Sequence, residues 1–167
     1  KGKKDKGEYL PATAHRETLE ESGVDTQLRV PLLPVNYDWN GTPKVVRYWL
    51  AEPTDPALAT GDKDLPDNWQ SNDEVDEIRW VRIHKLVGLL TYPRDLQTVL
   101  DGFSRSRHTL PMILMRHADA QKRVDFASDH RGRPPHDHER PLNKDGMALT
   151  ANIAAVLKAY GITRVHS

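Results

Sequence analysis

The sequence predicts an α/β protein: mixed strands with flanking helices, followed by the start of a second α/β unit. Three observations point there. Residues 10–22 have the composition of a helix, with Pro11 in its first turn and Gly23 where a left-handed cap is wanted. Residues 26–51 contain short strand-like runs around Asn40-Gly41, the strongest hairpin signal in the chain. Beyond a basic polar run at 104–109, the apolar residues 110–115 suit a buried strand that ends in Arg116-His117.

Composition narrows the class of protein. The 167 residues suffice for one large domain or two small ones. With 24 basic and 24 acidic residues the net charge is +0, so no global field draws the chain to a nucleic acid polymer or a membrane. Cysteine is absent, which excludes disulfides and thiolate metal sites and agrees with a cytoplasmic protein. Hydrophobic content is 37%, below the roughly 45–50% usual when glycine is counted.

The first helix carries the chemistry. Glu17, Glu20 and Glu21 stand at i, i+3 and i+4, so three carboxylates share one face and repel one another. A cation relieves that repulsion. Oxygen donors of high charge suit magnesium, with manganese as the alternative, better than zinc. Magnesium takes one or two carboxylates and completes its shell with water and substrate phosphate, so the implied substrate is a phosphate ester or anhydride. The preceding loop offers Lys1, Lys3, Lys4 and Lys6 with Gly2 and Gly7 between them, a basic segment able to approach phosphate oxygens.

The spacing Gly2-x5-Glu8-x7-Arg16-Glu17-x2-Glu20-Glu21-x-Gly23-Val24 resembles the box of the Nudix (MutT-type) hydrolases. A solvated acidic helix beside a lysine-rich loop explains the charges but not this spacing. The resemblance implies an α/β/α sandwich over residues 1–103 and a magnesium-dependent hydrolase. Glu17, Glu20, Glu21 and the Lys1 carbonyl would be metal ligands, Lys3 a phosphate contact, and Arg16 an orienting partner of the glutamates through Glu8. Where the box has apolar residues facing the sheet, this chain has His15 and Thr18, which therefore need hydrogen-bond partners. His15 is expected as a satisfied, half-buried side chain and not a catalyst. The resemblance also implies strands ahead of the box, so the chain reads as a piece of a longer one.

After Gly23, residues 26–30 and 32–37 are expected strands, interrupted by Pro31 and Pro34 as at an edge or a bulge. Residues 44–51 return from the Asn40-Gly41 turn as a third strand. Residues 53–70 read as a long loop, 77–83 as a strand with Ile78 and Trp80 on one face, and 84–90 and 93–103 as helices. Glu74, just ahead of that strand, is a further candidate ligand, since related hydrolases bring another carboxylate to the metal from there.

The run 104–109 reads as a linker to a second unit, 110–167. Its strand 110–115 would deliver Arg116 and His117 to the rim of a sheet, where ligands bind. The residues Arg116-His117-Ala118, followed by Glu139-Arg-Pro-Leu-Asn-Lys-Asp-Gly146, are similar to the histidine phosphatases, in particular the SixA-like ones. That resemblance implies His117 as the phosphorylated nucleophile and Arg116 as the phosphoryl-binding guanidinium. Residues 122–138 read as a mobile loop, 144–160 as a helix closed by Gly161, and 164–167 as the start of a strand. The family's second phosphate-binding Arg and second His would lie beyond residue 167.

A Nudix unit followed by a histidine phosphatase resembles the bacterial two-domain MutT-type proteins of nucleotide-pool sanitation. The expected activity is magnesium-dependent hydrolysis of a nucleoside di- or triphosphate linkage, with oxidised guanine nucleotides and dinucleoside polyphosphates as the substrate classes. Two competitors are a phosphatase working through His117 and a non-enzymatic nucleotide-binding module. Three clustered carboxylates favour the hydrolase, because binding phosphate needs the lysines and not the acids.

Overall fold

A computed structural model describes residues 2–60, 64–66, 69–105, 109–130 and 136–166. The described residues combine helices with two small antiparallel two-stranded sheets in a mixed α/β arrangement. The first helix, α1, runs Leu10–Ser22, the span the sequence predicts. Pro11 occupies its first turn, where a missing N–H costs nothing. The helix ends at Gly23, whose φ of 68° lies in the left-handed region and whose N–H donates to Leu19 O at 2.8 Å.

Strands β1 (Thr26–Pro31) and β4 (Trp49–Pro53) pair antiparallel, with Thr26 opposite Pro53 and a bulge between Leu28 and Pro31. Between them in the chain, β2 (Val35–Trp39) and β3 (Thr42–Val46) close a hairpin at Asn40-Gly41, where Asp38 Oδ1 accepts the Gly41 N–H at 2.7 Å. The two ladders are the inner and outer parts of one long reversal. Two expectations are corrected here. The strand expected at 32–37 begins only at Val35, because Pro31 and Pro34 lack the N–H that a continuous ladder requires. The strand expected at 44–51 divides into β3 and β4, with residues 47–48 outside both, opposite the interruption in the other arm.

The loop expected at 53–70 contains a short helix, α2 (Pro56–Thr60). Asp55 Oδ1 accepts the Ala57 N–H at 3.0 Å, and Leu58 is buried. Asp55-Pro56 is a helix-start signal that could have located it. No strand forms at 77–83, and Trp80 is 53% exposed. An extended segment becomes a strand only when a neighbour completes its ladder, and among the described residues none pairs with it. The expected helix at 84–90 reduces to one 3₁₀ turn at Ile83–Lys85. Helix α3 (Pro93–Ser104) forms as expected, and Arg94 in its first turn stacks between the rings of Tyr37 and Tyr92 at 4.4 and 4.5 Å.

In the second part, 110–115 forms no strand, and Leu110 is 91% and Leu114 89% exposed, so the expected buried strand is absent there. Residues 164–166 likewise form no strand, and Ser167 lies outside the described residues. The loop expected at 122–138 instead contains α4 (Arg123–Asp129), whose buried Phe126 lies 4.4 Å from the His130 ring. A single buried aromatic in seven residues leaves no periodic pattern to read. Helix α5 (Lys144–Ala159) is capped by Asn143, whose side chain accepts the Gly146 N–H at 2.8 Å.

Helix α5 lies against α1 and β1 and joins the core through Ala159, which is fully buried. The Trp49 indole donates to the Tyr160 hydroxyl at 3.0 Å and fastens this helix to β4. The core is small: Ala12, Val24, Leu28, Leu58, Phe126 and Ala159 are its buried apolar residues among those described.

Gly23 decides where α1 stops, and the backbone requirement is testable. A Cβ there meets only ordinary contacts with Pro66 and Trp69, so the cost of Gly23→Ala is the left-handed conformation itself, about 1 kcal/mol. Urea unfolding should show this loss for Gly23→Ala and a smaller one for Gly23→Asn, because asparagine tolerates that region better.

Candidate functional site

The loop ahead of α1 is drawn onto the helix by one arginine. Arg16 Nε donates to Glu8 Oε1 and Nη2 to Glu8 Oε2, both at 3.0 Å, a two-pronged pairing of guanidinium and carboxylate. Nη2 also donates to Lys3 O at 3.0 Å. Nη1 donates to Glu20 Oε2 at 2.8 Å and stands 2.9 Å from Glu17 Oε1. Arg16 and Glu20 are one turn apart on the same face, the spacing at which side chains meet.

Glu8 is held from other sides as well. The Asp5 N–H and the Thr13 hydroxyl donate to Glu8 Oε2 at 3.1 and 2.8 Å. The Arg16 hydrogen bonds are the main cause that holds the Glu8 carboxyl at about 2, against an ordinary 4.5; the Asp5 and Thr13 donors add to it and burial opposes it. In return Glu8, then Glu20 and Glu17, raise the Arg16 pKa above its ordinary value.

Glu17 receives the Lys3 N–H at 3.0 Å. The loop reaches this close only because residue 2 is glycine: a Cβ there would run into the Glu17 carboxylate. Lys3 thus meets the site through its backbone, as a donor to Glu17 and an acceptor from Arg16. Beside the cluster a cleft of about 240 Å³ opens between Asp5, Lys6, Glu8 and Arg16 on one wall and Asn152 of α5 on the other.

The Glu21 backbone carbonyl accepts the Trp69 indole N–H at 2.8 Å at the end of α1. Glu74 lies exposed in a turn where its N–H donates to Asn72 Oδ1 at 2.9 Å. Lys1 lies outside the described residues. Among the described residues no three His, Cys, Asp or Glu side chains converge tightly enough to hold a metal ion. Of the three glutamates that helical spacing sets on one face, Glu17 and Glu20 meet at Arg16 Nη1.

That pair still suits a divalent cation. Two carboxylate oxygens meet a single nitrogen, so the chain already converges them on one positive charge, and both are hard donors. Sequence reasoning missed Asp5 and Thr13, whose approach to Glu8 depends on how the loop folds back over the helix.

The second expected site is more open. Arg116 and His117 are both exposed. His117 Nδ1 lies 3.0 Å from Ala118 O; a carbonyl only accepts, so Nδ1 is the donor, and Nε2 is the ring nitrogen this contact does not use. The segment behind it is held by Arg140 Nη1 donating to Gln121 O at 2.8 Å, the Asn143 N–H donating to Asp119 O at 3.0 Å, and a bridge between Ala120 and Leu142. Arg140 and Arg123 both engage Asp137, whose carboxyl falls to about 2 chiefly through Arg123.

Residues 1–102 match the NUDIX domain. The chain belongs to the Nudix family. Over all 167 residues it is 32% identical to a protein of Mycolicibacterium smegmatis described as an 8-oxo-(d)GTP phosphatase. The match covers 46% of that relative, so the chain spans less than half its length. The cluster around Arg16 lies wholly within the Nudix segment.

The Glu8–Arg16 pairing has a pH signature. Because the folded carboxyl lies below its ordinary 4.5, at about 2, its contribution to stability is complete above that ordinary value and is lost as pH falls toward 2. Glu8→Gln should cost about 1–2 kcal/mol at pH 7. In urea unfolding at stepped pH, the gap between the variant and the parent should narrow below pH ~4 and close near pH ~2.

Proposed function

We propose that the Nudix segment hydrolyses the phosphoanhydride linkage of a nucleoside di- or triphosphate in nucleotide-pool sanitation, with oxidised guanine nucleotides or dinucleoside polyphosphates as substrates. The observation that carries this reading is the convergence of Glu17 and Glu20 on one positive charge beside a lysine-rich loop in a Nudix chain. The name of the mycobacterial relative supports the choice of nucleotide.

Glu17 and Glu20, joined by Glu21 and by the Lys1 carbonyl and Glu74, would hold magnesium or manganese. Bound there, the cation supplies charge neutralisation at the anhydride oxygens and lowers the pKa of an attacking water. The rest is the work of the chain. Arg16 locks the loop to the helix, so Glu17 and Glu20 are held in a fixed arrangement beside the cleft before substrate arrives, and positioning of this kind accounts for much of the acceleration in phosphoryl transfer. The Lys3, Lys4 and Lys6 side chains, on the loop that rims the cleft, attract the polyphosphate. Asn152 on the opposite wall is a neutral hydrogen-bonding group for the sugar or base.

The second part, 110–167, belongs in this proposal to a histidine-phosphatase unit that follows a Nudix α/β/α sandwich spanning 1–103, with 104–109 as the linker. His117 would act as nucleophile through Nε2 and Arg116 would bind the phosphoryl group. The tautomer set by Ala118 O supports the first role. No helix among the described residues is long and apolar enough to cross a membrane, and a cytoplasmic location is part of the same reading.

The decisive measurement is magnesium-dependent hydrolysis of 8-oxo-dGTP against dGTP by the full-length protein. Glu17→Gln and Glu20→Gln should each lower turnover about 10- to 100-fold, and excess chelator should abolish it. Turnover that persists in chelator, or that survives both substitutions together, rules the reading out.

A further inference from the structure

On the side of α1 away from the box carboxylates lies a polar pair that the proposed chemistry does not use. His15 is 7% exposed, and its Nε2 meets Asp25 Oδ1 at 2.8 Å. A carboxylate only accepts, so Nε2 is the donor. Asp25 stands immediately before β1. Its Oδ2 accepts from the Thr54 hydroxyl at 3.2 Å, and its backbone carbonyl accepts the Thr54 N–H at 2.9 Å and the same hydroxyl at 3.2 Å. Thr54 directly follows β4. One aspartate therefore ties the helix to the end of the β1–β4 ladder.

At about 100° per residue, Glu17 lies about 200° and Glu20 about 140° round the helix from His15. The bond thus grips the rear of the element whose front presents the carboxylates. An apolar residue at position 15 would bury as well, but apolar contact is non-directional and leaves a helix free to turn against its support. A hydrogen bond fixes both distance and angle. The lever is short and the tolerance small: a turn of about 10° moves a group at the outer helix radius of about 5–6 Å by about 1 Å, and a 1 Å misplacement can cost about 100-fold in rate.

We propose that His15, through Asp25, is a positioning residue that sets the rotation of α1 and with it the cation affinity of Glu17 and Glu20. This rests on the metal-site reading above but concerns residues that touch neither metal nor substrate. The test uses the full-length protein, with manganese binding followed by the EPR signal of the free ion and with kcat and KM measured separately. His15→Leu should weaken manganese binding on the order of tenfold and lower kcat, with KM for the nucleotide at saturating metal changing less than about twofold. His15→Gln, whose amide nitrogen can donate to Asp25 from a similar place, should recover most of the loss.

Manganese binding that is unchanged in His15→Leu, whatever its melting temperature, overturns the proposal, as does a glutamine variant no better than leucine. Should the leucine variant fail to fold, Asp25→Asn keeps the shape and weakens the acceptor; it should bind manganese severalfold more weakly, and parental affinity there overturns the proposal equally. The two readings fail separately. Absence of nucleotide hydrolysis in the parent defeats the functional proposal and leaves the manganese comparison intact; normal hydrolysis with variants indistinguishable from the parent defeats only the role of His15.

Discussion

Arg16 is the interaction on which the site depends. Its guanidinium reaches Glu8 in the loop, Glu17 and Glu20 on its own helix and the Lys3 carbonyl, so one cation folds the entering chain back over α1. Arginine suits this as lysine does not, because a planar fork can grip one carboxylate with two nitrogens while the third turns elsewhere. Held singly by water, each of these acids would be free to point away. Gathered on Arg16, they lose much of that freedom before any ligand arrives.

The same arrangement balances the local charge. Asp5, Glu8, Glu17 and Glu20 crowd a short stretch, and the Arg16 guanidinium lies within 4 Å of all four. A bound divalent cation would take over part of that task at Glu17 and Glu20, leaving Arg16 anchored on Glu8 by its two-pronged bond. Division of labour follows from geometry: Glu8 accepts from Nε and Nη2, whereas Glu17 and Glu20 share Nη1. The acid that anchors the loop and the two acids proposed to hold the metal thus occupy different edges of one guanidinium.

Behind the helix the polar residues His15 and Thr18 find partners, as burial demands. Thr18 donates to Ala14 O at 2.7 Å within its own helix, a local solution that needs no tertiary contact. His15 instead requires Asp25, ten residues along the chain. The first is a matter of local spacing; the second couples the helix to the sheet.

The sequence by itself determined α1, its glycine stop, the Asn40-Gly41 hairpin, α3 and α5, because helical periodicity, proline at a first turn and a left-handed cap are local properties of a few adjacent residues. It also placed Arg16 and the box acids, since residues three and four apart on a helix must share a face. Tertiary structure alone decided which acids meet: Glu8, Asp5 and Lys3 reach Arg16 through the path of a loop, and no spacing rule fixes that path. It alone decided the strands too. Residues 77–83 and 110–115 have strand-like sequences yet remain unpaired among the described residues, because a strand exists only when a second segment satisfies its backbone groups, and that partner is not written in the segment itself.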